Sequence, residues 1–266
     1  MENAVIYGLF TIISFAASVI GSICGIGGGV LIKPLLDAFG VMSVSAISFL
    51  SGCTVLTMSC YAVVKGCLRG DSLIDLETGT PLAIGAAVGG AVGKSLFRIL
   101  YGAFSEASHV GAVQAACLLV ITLGTMIYTI RKDNIQTLRL RSIPVCAAIG
   151  LLLGILSAFL GIGGGPINLV VLYYFFSMET QRAAQNSLYI IFFSQMTSFL
   201  LTIFTQAIPD VNILVFILMA LGGLLGGIVG RYVNKKMEAC IVERLFIGLM
   251  MVIILLCAHN IVQFRS

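Results

Sequence analysis

The chain has 266 residues, of which 59% are hydrophobic and only 10% charged, with a formal net charge of +4 and a mean hydropathy of +1.10. A soluble domain carries about 25% charged residues, so this composition places the chain in a bilayer, where each segment must satisfy its own backbone and open sheets are excluded. The small positive charge is spread over loops and leaves no nucleic-acid footprint.

The N-terminal "MENAVIYGLF" is acidic and lacks the basic start of a secretory signal. The first hydrophobic segment is therefore expected to be retained. Eight such segments follow one another, at roughly residues 4–40, 43–64, 73–97, 110–130, 143–177, 183–206, 211–231 and 244–263. A helical crossing needs about 20 apolar residues. Six segments fit one crossing each. The first and fifth are too long for one and short for two, and each contains "GIGGG", at 25–29 and 161–165.

The first break stands in "SICGIGGGVLIKP". Four glycines in five positions would burden an uninterrupted helix, since each costs about 1 kcal/mol relative to alanine. Glycine instead lets the chain leave the helix and approach other backbone closely. A short helix resuming after each break, at "GGVLIKPLL" and "GGPINLVVL", would point unpaired N–H groups into a cavity at membrane depth, and such groups attract anions. The expected backbone donors are Gly27, Gly28, Gly29, Gly163, Gly164 and Gly165. Lys33 follows the first break. It either helps neutralise an anion or pairs with Asp37, four residues on.

"SAISFLSGCTVLT" comes next, with Ser48, Ser51 and Thr54. Its counterpart, "QRAAQNSLYIIFFSQ", carries Gln185, Asn186, Ser187, Ser194 and Gln195. Neutral polar groups in a span either bond between helices or line a ligand path. Ser51, Asn186 and Ser187 are the candidates for orienting a solute, whereas Gln195 reads as a helix–helix bond. "GAAVGGAVGK" places Gly85, Gly89 and Gly93 at four-residue spacing, and "GGLLGGIVGR" does the same with Gly222, Gly226 and Gly230. These are small-residue ridges for close helix packing. Lys94 and Arg231 close them.

The chain repeats itself. Gly25 and Gly161 stand 136 positions apart, Ser51 and Ser187 likewise, and Gly89 and Gly226 stand 137 apart. The polar "RKDNIQTLRLRS" separates the copies, giving a first transmembrane repeat at 1–130, a basic cytoplasmic linker at 131–142 and a second repeat at 143–266. If all eight segments cross once, Lys and Arg divide evenly between the two sides. If the first and fifth enter and return, one side gathers Lys65, Arg69, Arg131, Lys132, Arg139, Arg141, Arg182, Arg231, Lys235, Lys236 and Arg244, leaving Lys33, Lys94, Arg98 and Arg265 opposite. The positive-inside rule favours the second arrangement. Three crossings per copy make the repeats inverted, the pattern of secondary transporters with a midplane site.

Carboxylates lie almost wholly in loops or at segment ends, so a cation site or proton relay is not expected. The eight cysteines form no CxxC and read as small membrane hydrophobes. No metal site, cofactor or enzyme motif is expected.

The two glycine motifs, "NSL" at 186–188 and the "GGxxG" runs at 89–93 and 226–230 resemble the sulfite exporter TauE/SafE family, also described as four-toluene-sulfonate uptake permeases. The resemblance covers nearly the whole chain. It implies a multi-pass transporter of the bacterial inner membrane for sulfur-containing anions such as sulfite, sulfonates or sulfoacetate. The family's alcohol motif after the first break reads "FLSG" here, keeping Ser51 without a neighbouring threonine. The expectation is therefore an all-α polytopic membrane protein of two inverted repeats, each opened by a glycine-broken re-entrant segment. It would move a small anion by alternating access. An anion channel and a non-transporting assembly component are the alternatives, and self-association is left open.

Overall fold

The computed structural model describes residues 2–69, 73–103 and 107–264; Arg265, counted among the charges above, lies outside them. All regular structure among the described residues is helical: α1 (Glu2–Cys24), α2 (Gly29–Phe39), α3 (Val44–Arg69), α4 (Leu76–Ala103), α5 (Ala107–Arg131), α6 (Ile143–Leu160), α7 (Pro166–Phe176), α8 (Thr180–Phe204), α9 (Ile213–Asn234) and α10 (Ala239–Gln263), with one 3₁₀ turn at Lys132–Asn134. Eight of them are long and apolar enough to cross a membrane; α2 and α7, of 11 residues each, span only about 16 Å.

Each overlong segment thus divides into one spanning helix and one half-length helix. α1 is not a half-span that stops at mid-depth, because Ile6–Cys24 alone suffices to cross, and so does α6. Beyond Cys24 the chain folds back on itself. Ile26 N donates to the Gly21 carbonyl, and a methyl placed on Gly28 would lie 2.9 Å from Ser18 Cα. Ser18 lies six residues, about 9 Å, before the end of α1 at Cys24, so the start of α2 is drawn back alongside α1.

Contacts fix the helix directions. Along α9, Asn212 meets Tyr7, Gly222 meets Ser14, Gly230 meets Ser22 and Asn234 meets Ile23, so α1 and α9 run the same way. Gly223, Gly227 and Arg231 meet Thr54, Met58 and Ala62 in turn, so α3 runs that way too. Since α1 and α3 are parallel, α2 carries the chain back between them. The other half repeats the arrangement. α4 lies parallel to α6, through Gly89 against Leu151 and Gly93 against Ile155, and parallel to α8, through Asp75 with Arg182 and Gly90 against Ser194; α7 makes the return. α3 and α8 oppose each other, with Gly52 beside Gln195, Val55 beside Ile191 and Ala62 beside Leu188.

The glycine ridges do what their spacing suggests. A methyl on Gly89 would lie 2.9 Å from Ile155 N of α6, and one on Gly226 2.6 Å from the Phe15 carbonyl oxygen of α1. Their partners belong to the opposite half of the chain: α4 packs on α6 and α8, while α9 packs on α1 and α3. The Lys132–Glu243 pair at 2.6 Å, the Arg182–Asp75 pair at 2.9 Å and the bond from Leu138 N to the Tyr174 carbonyl gather one end of the bundle around the 131–142 segment, here called the linker face. Ile84, Val88, Leu152, Leu225 and Leu255 lie exposed on the outer helix surfaces, as a bilayer requires. All eight cysteines are free.

Candidate functional site

The two glycine breaks meet. Gly25 and Gly27, with φ of 75° and 77°, and Gly161, Gly163 and Gly164, with φ of 65°, 69° and 135°, occupy backbone regions that other residues rarely enter. A methyl on Gly27 would lie 3.4 Å from the Gly163 carbonyl oxygen, and one on Gly164 3.3 Å from that of Ile26. Gly29 packs on Ile162, its methyl position being 2.7 Å from the carbonyl carbon. Gly28 caps α2 with a helical φ of −65°, and Gly165 caps α7 in extended conformation. Pro166 at the first turn of α7 suits a helix start, where no N–H is needed. Leu31 N and Asn168 N turn back to the capping carbonyls of Gly28 and Gly165, which leaves Gly29 and Val30 of α2 and Ile167 of α7 as the first-turn amides without an intrahelical acceptor.

Buried polar groups without partners surround this junction. Ser18 Oγ abuts Gly28, Ser48 Oγ abuts Gly161, and Asn168 Oδ1 lies in the first turn of α7. Ser187 Oγ on α8 is likewise buried and unpartnered. Ser18 and Asn168 escaped the sequence reading. Asn168 is the polar residue of an apolar run directly after "GGGPI", a signal that could have found it.

Val55 and Ile191, fully buried and 136 positions apart in the sequence, close the centre where Gly27, Gly163 and Gly164 approach. Ser51 precedes Val55 by one turn and Ser187 precedes Ile191 by one turn. Because α3 and α8 oppose each other, the two serines flank this apolar contact from opposite sides. Ser51 Oγ donates to the Gly29 carbonyl oxygen at 3.4 Å.

Two residues sit apart from the junction. Asn186 donates to the carbonyls of Leu73 and Arg182 and accepts from Asp75 N, so it ties α8 to the segment before α4. Lys33 pairs with Asp37 at 3.0 Å, both side chains buried, and Asn260 of α10 bonds the nearby Pro34 carbonyl. Gln195 donates to Ser157 Oγ of α6, the helix–helix bond that its place in α8 suggested.

The recesses beside the breaks are small. One lined by Gly161, Ser48 and Gln195 offers about 20 Å³, enough for one water molecule.

The family description "Sulfite exporter TauE/SafE" matches residues 10–256. The chain is similar to the probable membrane transporter protein YunE of Bacillus subtilis (strain 168), with 23% identity over 248 residues, covering 86% of this chain and 89% of that protein. No solved structure matches the chain. Eight apolar helices, a doubled glycine break at their centre and a family match over nearly the whole length lead to one conclusion: the chain belongs to the sulfite exporter TauE/SafE family and is a multi-pass membrane transporter, in keeping with a bacterial inner membrane.

Proposed function

We propose that the protein carries a small sulfur-containing anion, such as sulfite, a sulfonate or sulfoacetate, by alternating access between two inverted repeats, with the linker face cytoplasmic. The observation that carries this reading is the meeting of the two breaks, each of which opens a short helix at the junction. An anion there gains from two helix N-termini, each equivalent to roughly half a positive charge. It also gains from the unpartnered hydroxyls. Gly27, Gly28, Gly29, Gly163, Gly164 and Gly165 supply backbone donors, and Ser51 and Ser187 serve the two access sides. Val55 and Ile191 act as the apolar gate between those sides. We assign Asn186 and Lys33 to scaffolding, since each is already partnered.

The one-water recesses favour a gated carrier over an open anion pore. The test is a flux screen in liposomes over sulfite, sulfate, thiosulfate, sulfonates and simple carboxylates. Gly164→Val, whose side chain would strike Ile191 at a φ of 135°, is expected to abolish flux while the protein still inserts. Retained flux in that variant would count against the site.

A further inference from the structure

Away from the linker face, a cavity of about 190 Å³ is lined by Ser45, Lys94, Arg98, Tyr101, Thr202 and Thr205. Lys94 and Thr202 also line the deeper recess that reaches Ser48, Gln195 and Gly161. Lys94 therefore stands at the neck between an outer vestibule and the second glycine break. Its ammonium lies 5.4 Å from the centre of the Phe97 ring. Among the described residues no carboxylate pairs with it. A cation within a span without a carboxylate partner is costly and marks a solute path. Beside it, Ser48 Oγ is buried, unpartnered and adjacent to Gly161.

The repeat supplies an independent argument. A second recess, on the linker face, is lined by Ser22, Ala62, Ala184, Leu188 and Arg231. Their repeat-related positions are Ala158, Ser198, Ser48, Gly52 and Lys94, and all five line the recess on the other face. The two recesses are thus copies of one another. Each adjoins the first glycine of a break, Gly25 against Ala184 and Gly161 against Ser48. They differ in chemistry. Ala62, Ala184 and Leu188 stand in the linker-face copy where Ser198, Ser48 and Gly52 line the other, although the Ser22–Ala158 pair is reversed and Gln185, Asn234 and Lys235 add polar groups to the linker face; Arg231 bonds across to the Ala62 carbonyl.

We infer that Lys94 and Ser48 form an entry subsite for a small oxyanion on the face opposite the linker, ahead of the central junction. The inference rests on the anion-transport reading above. Lys94 supplies the charge, Ser48 the free hydroxyl donor, and the step inward leads to Gly161.

The test measures sulfite, thiosulfate and methanesulfonate flux by the full-length protein in oriented liposomes, with the anion presented from either face. Lys94→Gln is expected to raise the half-saturating concentration on the Lys94 face by about tenfold or more, the effect of losing one charge-assisted hydrogen bond. Lys94→Arg should stay close to wild type, and presentation from the linker face should show a smaller change. Ser48→Ala guards against a folding artefact. Removing an unpartnered buried hydroxyl leaves stability intact, yet it should raise the same half-saturating concentration several-fold. Wild-type saturation in both Lys94→Gln and Ser48→Ala would overturn the subsite while leaving the transport reading in place. If the wild-type protein moves none of the three anions, the transport reading falls and the subsite falls with it.

Discussion

Gly29→Ala isolates the contact between the two breaks. Gly29 is the first residue of α2 and has ordinary helical backbone, so the added methyl brings no torsional strain. It would lie 2.7 Å from the Ile162 carbonyl carbon and 2.7 Å from Ser51 Oγ, whereas nonbonded carbon contacts settle at about 3.5–4.0 Å. The breaks must part by about 1 Å. Ile162 cannot turn aside, because the contact is with its backbone. Overpacking of this kind costs about 1–3 kcal/mol, and at about 1.4 kcal/mol per factor of ten the closed junction should lose roughly 5- to 150-fold in population. Gly165→Ala is the control. Its methyl would meet only Ile162 Cδ1, at 3.3 Å, the far end of a flexible side chain, and its backbone is extended. Thermal unfolding in detergent and initial flux in liposomes should both separate the two variants, with Gly165→Ala near wild type. Equal stability and equal flux in the pair would refute the described junction.

Four further outcomes are expected. Gly226→Val, which would press α9 off α1 at the Phe15 carbonyl, should lower the unfolding temperature. Gly124→Ala, with nothing within 4 Å, should leave that temperature unchanged or raise it slightly. Lys33→Met strands a buried carboxylate and should cost about 3–5 kcal/mol; Lys33→Met with Asp37→Leu should recover both stability and flux, and lost flux in a stable double variant would return Lys33 to the site. Asn186→Ala removes bonds to Leu73, Asp75 and Arg182, which should cost about 1–3 kcal/mol on thermal unfolding without changing the half-saturating anion concentration.

Much of the architecture was legible along the chain. Apolar runs set the number of spans, because a bilayer offers the backbone no partner but its own helix. The 136-residue recurrence marked Gly25 with Gly161 and Ser51 with Ser187, and the four-residue glycine spacing announced Gly89 and Gly226 as packing ridges. Serines stood out from their surroundings by polarity alone. Nothing local distinguished Asn186 from Ser187, however. One ties a neighbouring segment and the other keeps a free hydroxyl, and that difference depends on where residues 73–75 pass.

The sequence by itself therefore determined which stretches are helical, where they break and which positions recur at the 136-residue offset, since these follow from hydrogen-bond satisfaction and spacing along the chain. Tertiary structure alone decided that α4 and α9 pack on the opposite half of the chain, that the two breaks touch, and that Lys94 borders a recess matched by one beside Arg231. A ridge of glycines fits any complementary surface. Its choice of partner is a competition among distant helices, won by the backbone that can come closest.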